Sequence, residues 1–377
     1  MLKHDVVIVG AGFYGTTLAE MFAAIGKRVR LIEKRNHVGG NAYSYFDTET
    51  NIEIHKYGSH IFHTNSFRVW EYINQFTSFN DYTHKVISKS GSMMLPVPIN
   101  LKTINQVFNA DFSPEAAMAF MESQKVMSAD SERNLEAWAK SEIGIKLYEL
   151  LIRGYTQKQW EMDPVLLPPA IIKRLPVRFD YDDRYFTDTY QGMPSDGYEK
   201  IFQNMLSSNR IDVELETDFF DERDRLPSDQ LVIYSGPIDR FFDYSKGELG
   251  WRTLDFELER IYESAFQENS VVNYADLEVP YTRIHEFKHF YTERDQSKNS
   301  TIISREYSRK ANKGDEPYYP VGTETDKKIL AEYKSLSENL RSVHFGGRLG
   351  SYQYLDMHMA INQAMITFKQ IVEERWS

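Results

Sequence analysis

Cysteine is absent from the 377-residue chain. This excludes disulfides, thiolate metal sites, cysteine nucleophiles and redox dithiols. Excess positive charge is also lacking, because 44 Lys and Arg are set against 55 Asp and Glu, a net charge of −11. Such a balance argues against a general nucleic-acid surface and against a basic membrane-docking face. No apolar run approaches a bilayer span and no targeting pattern is present, so we expect a soluble, unprocessed, cytoplasmic protein without nucleic-acid or membrane partners.

The first residues have the pattern of a strand, a helix and a second strand. Val6 to Val9 is a short β-branched run that ends at Gly10, as a buried parallel strand does. Phe13 to Ile25 places apolar residues at helical spacing, and Val29 to Ile32 predicts the second strand. The sequence therefore predicts a βαβ unit at the start of the chain.

The turn of this unit matches the dinucleotide-binding fingerprint G-x-G-x-x-G. Gly10 permits the tight turn, Gly12 lets the backbone approach a pyrophosphate, and Gly15 allows close packing of helix on strand. The helix N-terminus then offers free N–H groups to the anion. Glu33, at the end of the second strand, is placed to accept hydrogen bonds from an adenosine ribose. The alternative is a glycine-rich turn in an ordinary α/β fold.

The identity of the dinucleotide depends on the residues around and beyond Glu33. An acid at this position disfavours the 2′-phosphate of NADP, whereas NAD and FAD both fit the fingerprint. A second glycine pair, Gly39 and Gly40, follows His37 and precedes Asn41. This pair favours FAD, because its bare backbone could let the FAD pyrophosphate cross the edge of the sheet. An ordinary loop turn would have the same composition.

The rest of the chain divides into helical and β-rich stretches. Residues 101–172 have helical periodicity, residues 83–98 predict a hairpin around Ser90 and Gly91, and residues 251–319 are β-rich. The runs at 231–237 and 343–350 predict further strands that lead into turns. We predict an α/β fold: a Rossmann-like FAD-binding domain with an inserted helical bundle and an antiparallel β-sheet domain. The predicted boundaries are 1–80 with 195–247 and 340–377 for the FAD-binding domain, 100–175 for the helical insertion with a mobile lid, and 81–99, 176–194 and 248–339 for the sheet domain.

Several long segments resemble the UDP-galactopyranose mutase family over nearly the whole chain. These segments are Gly39–Asn41, Tyr57–Thr64, Leu95–Asn100, Gly154–Trp160, Lys173–Phe179, Tyr281–Arg283, Glu316–Pro320 and Gly347–Asp356. The resemblance implies interconversion of UDP-galactopyranose and UDP-galactofuranose without net redox change, through an adduct of the sugar with N5 of reduced FAD. It also implies an external reductant such as NAD(P)H and a homodimer, and its product would enter polysaccharide biosynthesis.

The resemblance and the fingerprint together assign the candidate site residues. The cofactor residues are predicted to be Gly10, Gly12, Phe13, Tyr14, Gly15, Glu33, Lys34, Gly40, Asn41, His60, Ile61, Phe219, Arg348, Leu355, Asp356 and Met357. The substrate residues are predicted to be His84, Tyr155, Thr156, Trp160, Arg174, Tyr185, Arg252, Asn273, Arg283, Tyr319 and Tyr354. The residues assigned to catalysis are His60, His63, Arg174 and Arg252, with both arginines binding the diphosphate and Arg174 on the mobile lid.

Other chemistries have less support in the sequence. His60 and His63 are three residues apart, but no carboxylate or cysteine nearby completes a metal set, so we predict no metal. Apart from these histidines, no segment offers a carboxylate dyad or a Ser/His/Asp set. A cofactor that supplies its own nucleophile removes the need for one.

Alternative functions remain open at this stage. An amine-oxidase-like flavin oxidoreductase would use the same fingerprint, and a silent nucleotide-sugar binder would keep the fold. Ser59 and His84 depart from the residues common in the family. A mutase that also acts on UDP-N-acetylgalactosamine is therefore a further alternative.

Overall fold

The computed structural model describes residues 4–173 and 176–376. The strands are β1 (Val6–Val9), β2 (Val29–Ile32), β3 (Ser44–Phe46), β4 (Glu53–His55), β5 (Phe62–Thr64), β6 (Val86–Ser90), β7 (Met93–Val97), β8 (Tyr190–Gly192), β9 (Ile211–Glu214), β10 (Leu231–Tyr234), β11 (Trp251–Ile261), β12 (Val271–Tyr274), β13 (Arg283–Glu286), β14 (Thr301–Lys310), β15 (Tyr319–Pro320) and β16 (Val343–Phe345).

Helices connect and cover these strands. They are α1 (Phe13–Ala24), α2 (Phe67–Ile73), α3 (Leu101–Phe108), α4 (Pro114–Gln124), α5 (Leu135–Leu147), α6 (Gly154–Trp160), α7 (Tyr198–Met205), α8 (Phe219–Glu222), α9 (Ile238–Phe241), α10 (Glu324–Ser337), α11 (Gly347–Gly350) and α12 (Met357–Arg375). Of the helices in the described part of the chain, none is long and apolar enough to span a bilayer.

A parallel sheet carries the predicted βαβ unit. Its strand order is β16-β10-β1-β2-β9, and every neighbouring pair is parallel. Strands β1 and β10 are buried along their full length, as their short β-branched runs predict. Helices α1 and α12 pack against each other beside this sheet. The predicted strands at both ends and in the middle of the chain therefore meet in one sheet, which confirms the Rossmann-like prediction.

A second, larger sheet differs from the prediction in one respect. Its order is β15-β11-β14-β13-β12-β6-β7, and the predicted hairpin forms β6 and β7. Its neighbouring strands are antiparallel, as predicted, except for β6 and β12, which pair in parallel, with Ile87 opposite Val272. These two strands are far apart in the sequence, so no hairpin turn forces them to run in opposite directions.

The predicted helical insertion lies between β7 and β8. Helices α3 to α6 and a π-helical stretch, Tyr148–Arg153, surround a core that includes Ile104, Leu135 and Tyr148. The domain boundaries stay predictions. Helix α10, which they assign to the sheet domain, contacts α9 and β16 beside the parallel sheet.

Candidate functional site

A cavity of about 2060 Å³ extends between the parallel sheet, the larger sheet and the helical insertion. Single-ligand pockets usually have volumes of about 300–1,000 Å³, so this one has room for two ligands. Every predicted cofactor and substrate residue in the described part of the chain lines it, as does His63. Arg174 lies outside the described residues. The structure thus brings the two predicted sets together in one space.

The glycine turn forms one end of the cavity. Gly10 has a φ of +96°, and a Cβ there would lie 2.2 Å from Ser235 Oγ. A Cβ on Gly15 would lie 1.9 Å from the carbonyl oxygen of Gly10, so helix α1 needs glycine at this contact. A Cβ on Gly12 would meet Gly40 Cα at 3.9 Å, which is ordinary contact. Gly12 and Gly40 therefore leave open a bare backbone surface that a pyrophosphate can approach.

Glu33 fixes the shape of this turn from the end of β2. Its Oε2 accepts a hydrogen bond from the Ala11 backbone N–H at 2.8 Å, and its Oε1 accepts one from the Arg35 N–H at 3.0 Å. Each carboxylate oxygen keeps a further lone pair, because an ionised carboxylate offers about four acceptor positions. The acid can thus accept ribose hydroxyls while it holds the turn.

Arg35 also lines the cavity, although no motif in the sequence singles it out. Its Nη2 donates to Asn41 Oδ1 at 2.9 Å and to Glu316 Oε2 at 2.6 Å. Its Nη1 is buried without a hydrogen-bond partner. A buried donor costs free energy unless a partner reaches it, and a phosphate or ribose oxygen is a suitable partner. The site therefore fits an anionic dinucleotide.

Glu316 joins the cofactor end of the cavity to the segment that carries Tyr319. Its carboxylate contacts Arg35 and also Lys34, at 2.8 Å. Burial raises the pKa of Glu316, but the charges and hydrogen bonds of Arg35 and Lys34 outweigh that effect and lower it from 4.5 to about 2. The stabilisation from this carboxylate is therefore complete above pH 4.5 and is lost as the pH falls toward 2.

We expect Glu316→Gln to lower the free energy of unfolding by about 2 kcal/mol at pH 7 and by progressively less below pH 4.5. Urea unfolding of both proteins across this pH range measures the difference. Glu324→Gln is the matched control, because Glu324 pairs with Lys327 on an exposed surface and its loss should change little. A Glu316→Gln effect that stays constant down to pH 3 would contradict the assignment.

His60 and the start of α12 form the next part of the wall. The Nδ1 of His60 is 2.8 Å from the Gly58 carbonyl oxygen, which can only accept, so Nδ1 carries the proton. Burial lowers the pKa of His60 to about 4, so the ring is neutral and Nε2 is an acceptor. Helix α12 begins after Asp356, whose side chain makes no capping hydrogen bond, and its first N–H groups are free for a ligand.

Arg348 is a buried cation beside this wall. Its Nη1 donates to the carbonyl oxygens of Pro317 and Tyr318, at 2.7 and 2.5 Å. Burial and the nearby charge of Arg35 lower the pKa of Arg348 to about 10, so it stays charged at neutral pH. It makes this end of the cavity favourable for an anion.

The larger sheet supplies the opposite wall through residues on three adjacent strands. Asn273 on β12 is in register with Arg283 on β13, which is in register with Glu306 on β14. Arg283 Nε lies 3.2 Å from Glu306 Oε1, and its Nη2 donates to the hydroxyl of Tyr155 from α6. The Oδ1 of Asn273 is buried without a partner. This wall therefore offers a guanidinium, an amide and a phenol to a polar ligand.

Two aromatic residues and a histidine continue this wall. The His84 ring stacks on Phe186 with centroids 5.6 Å apart and meets Tyr185 edge-on at 5.5 Å. Its Nδ1 is 3.0 Å from the Tyr82 hydroxyl. Burial lowers the pKa of His84 to about 3, so this part of the wall is polar but uncharged.

Comparison with known proteins identifies the family. A model of NAD(P)-binding Rossmann-like domains matches residues 8–76, and the UDP-galactopyranose mutase model matches residues 150–354. A protein of Klebsiella pneumoniae named as a probable UDP-galactopyranose mutase is 41% identical, over 97% of this chain and 94% of its own length. The chain belongs to the UDP-galactopyranose mutase family. The predicted resemblance is thereby confirmed.

A second relative by sequence and one solved structure extend the comparison. A dTDP-fucopyranose mutase of Escherichia coli is 38% identical, over 96% of this chain and 97% of its own length. A crystal structure of reduced UDP-galactopyranose mutase superposes with a TM-score of 0.78 and 14% identity, covering 100% of this chain and 95% of the other. That structure supports the fold. The fold and the family together imply a flavin cofactor for the cavity.

Arg252, predicted as a diphosphate ligand in this mutase family member, is already engaged with protein groups. It is 3% exposed, and its guanidinium donates to Glu161 Oε2 at 2.8 Å, to the Gln159 carbonyl at 3.0 Å and to Ser308 Oγ at 3.2 Å. A guanidinium has five N–H donors, so at most two remain for a phosphate. Its charge is balanced by Glu161, unlike that of Arg348, whose hydrogen bonds go to carbonyls.

The fold forms two residue sets that no single segment of the sequence carries. The sequence showed no carboxylate near the paired histidines, but the fold places Asp356 and His358 beside His63, with ligand atoms within 4.8 Å of one another. His63 Nδ1 is engaged by Asp188 at 3.0 Å, and the prediction of no metal stays a prediction. No segment of the sequence carries a Ser/His/acid set either, whereas the structure forms one from Ser59, His285 and Glu306, on two strands and a loop. Both sets come from residues too far apart in the chain for spacing to reveal them.

Proposed function

We propose that the chain interconverts UDP-galactopyranose and UDP-galactofuranose, with FAD bound in its reduced form. The observation that carries this proposal is the continuity of the cavity from the bare backbone at Gly12 to the polar wall at Arg283. A dinucleotide and a nucleotide sugar would then meet in one enclosed space. The relative of Klebsiella pneumoniae, named for the same activity, supports the choice of reaction.

The chain's own residues would bind, orient and enclose the two ligands. When bound, the reduced flavin supplies a nucleophilic nitrogen for the anomeric carbon of the sugar. Gly12, Glu33 and Arg35 would hold the adenosine diphosphate half. His60 and Arg348, with the N-terminus of α12, would hold the ring system.

The substrate would lie against the wall made by the larger sheet and the helical insertion. Arg283 has a partly buried guanidinium, 26% exposed, that suits bidentate contact with a phosphate. Tyr155 and Asn273 are placed to bond the diphosphate or the sugar, and the rings of Tyr319 and Trp160 offer surfaces for stacking. Arg174 and the remaining N–H groups of Arg252 complete the proposed diphosphate contacts.

A second candidate substrate follows from the other full-length relative. The dTDP-fucopyranose mutase of Escherichia coli is 38% identical, which is close to the 41% of the first relative. Fucose is galactose without the C6 hydroxyl, and thymine is uracil with a methyl group. The two candidates therefore differ in three small groups: the C6 hydroxyl of the sugar, the methyl group of the base and the 2′-hydroxyl of the ribose, which dTDP lacks.

The test is conversion of UDP-galactofuranose by dithionite-reduced protein under nitrogen, followed by chromatography. We expect UDP-galactopyranose to accumulate until equilibrium is reached. Parallel reactions with dTDP-fucose and UDP-N-acetylgalactosamine establish the preferred sugar and nucleobase. Absence of conversion for all of them, with the flavin fully reduced, would contradict the mutase proposal.

We also propose the reductant, the oligomeric state and the cellular compartment. An external reductant such as NAD(P)H would prime the flavin, and the protein would act as a homodimer in the cytoplasm. The predicted domain boundaries and the roles of the predicted site residues belong to the same proposal.

A further inference from the structure

Ser59, His285 and Glu306 form a hydrogen-bonded chain inside the cavity. Ser59 Oγ is 2.7 Å from His285 Nδ1, and His285 Nε2 is 3.0 Å from Glu306 Oε2. His285 and Glu306 are 1% and 2% exposed, and all three residues line the cavity. They come from the loop before β5, from β13 and from β14. A polar chain buried this deeply has a fixed direction of hydrogen bonding.

The acid at one end sets that direction. Burial raises the pKa of Glu306, but the charge of Arg283 and the hydrogen bonds from His285 and Thr282 outweigh it and hold the pKa below its ordinary value. The ionised carboxylate only accepts, so His285 Nε2 is the donor. Burial lowers the pKa of the histidine, so the ring is neutral and its Nδ1 has a lone pair. Ser59 must therefore donate its hydroxyl proton to His285.

This arrangement leaves Ser59 with only acceptor capacity toward the cavity. A serine hydroxyl has one proton and two lone pairs, and here the proton is engaged. Phosphate oxygens are also acceptors, so they could not form a hydrogen bond with the free lone pairs of Ser59. Ser59 precedes His60 on the cofactor wall, and Glu306 connects it to Arg283 on the substrate wall. A group that reaches Ser59 lies between the two walls and must carry a donor, and a hydroxyl of the sugar at the reacting centre meets both conditions.

We propose that Ser59 is a specificity-determining residue that accepts a hydrogen bond from a sugar hydroxyl, and that His285 and Glu306 are positioning residues that keep its proton turned away. The proposal rests on the mutase function. A sugar without that hydroxyl would leave the acceptor buried and unpaired. Sites built to bond a hydroxyl discriminate strongly against analogues that lack it.

The test compares reduced wild-type protein with Ser59→Ala on UDP-galactofuranose and on its 2-, 3- and 6-deoxy analogues. For wild type, we expect one analogue to lose roughly 10- to 100-fold in kcat/KM, with a matching rise in the dissociation constant measured by calorimetry. For Ser59→Ala, that same analogue should perform as well as the parent sugar. A Ser59→Ala penalty that is equal for the parent and every analogue would overturn the assignment.

Two substitutions of His285 distinguish orientation of the Ser59 hydroxyl from a merely structural role of the histidine. In His285→Asn, the amide oxygen occupies the place of Nδ1 and still accepts the Ser59 proton, so the wild-type ranking of analogues should persist. In His285→Val the Ser59 hydroxyl proton is released, and the ranking should flatten while flavin absorbance is retained. A wild-type ranking in His285→Val would overturn the role of the histidine. A wild-type protein that converts none of the sugars would instead overturn the mutase function together with this proposal.

Discussion

Gly12→Ala should leave the protein folded but weaken flavin binding on the order of a hundredfold. Gly12 has a φ of −77°, which alanine adopts readily, and its Cβ would meet only Gly40 Cα, at 3.9 Å. The methyl group would instead occupy the bare surface proposed for the pyrophosphate. Titration of the apoprotein with FAD measures the loss, and circular dichroism reports the fold.

Gly15→Ala is the matched comparison for this prediction. Its Cβ would lie 1.9 Å from the Gly10 carbonyl oxygen, so helix α1 would have to move away from β1. We expect a fall of several degrees or more in melting temperature, because forced overpacking costs about 1–3 kcal/mol or more. A Gly12→Ala protein that binds FAD as tightly as wild type would contradict the placement of the pyrophosphate.

Arg283→Met should abolish nearly all turnover and also destabilise the protein. The substitution removes the guanidinium that contacts Tyr155 and leaves Glu306 as a buried carboxylate without its arginine partner. Breaking a buried pair in this way costs about 3–5 kcal/mol of unfolding free energy. We expect kcat/KM to fall by about a thousandfold, equivalent to about 4 kcal/mol.

The double variant Arg283→Met with Glu306→Gln separates these two effects. The neutral amide removes the uncompensated charge and can still bond Thr282 and His285, so most of the unfolding free energy should return. Activity should not return, because the guanidinium is still missing. Arg305→Met is the matched control, since Arg305 pairs with Glu259 at 2.6 Å and does not line the cavity. Recovery of activity in the double variant would show that Arg283 serves only to neutralise Glu306.

The local parts of the fold were predictable from the sequence. The βαβ unit, the 83–98 hairpin and the helical insertion each depend on periodicity and turn residues within a short stretch. The glycine turn and Glu33 were also predictable, because the fingerprint is contiguous. The predicted site residues that line the cavity followed largely from the resemblance to the mutase family.

The non-local parts were not predictable from spacing. The parallel pairing of β6 with β12 brings residues about Ile87 beside those about Val272, and no turn signal encodes it. The bond between Ser59 and His285 joins positions 226 apart. The ion pair of Arg252 with Glu161 joins strand β11 to the residue after α6. Each of these contacts depends on how the sheets and the helical insertion pack together.

We propose that the cavity holds a cofactor whose work is covalent and leaves no net oxidation or reduction. The most direct measurement is the number of sugar molecules converted per reducing equivalent supplied under nitrogen. We expect many conversions of UDP-galactofuranose, or of the preferred nucleotide sugar, for each flavin reduced once at the start. A ratio of one product per two electrons, with the flavin reoxidised at each turnover, would contradict it and indicate an oxidoreductase.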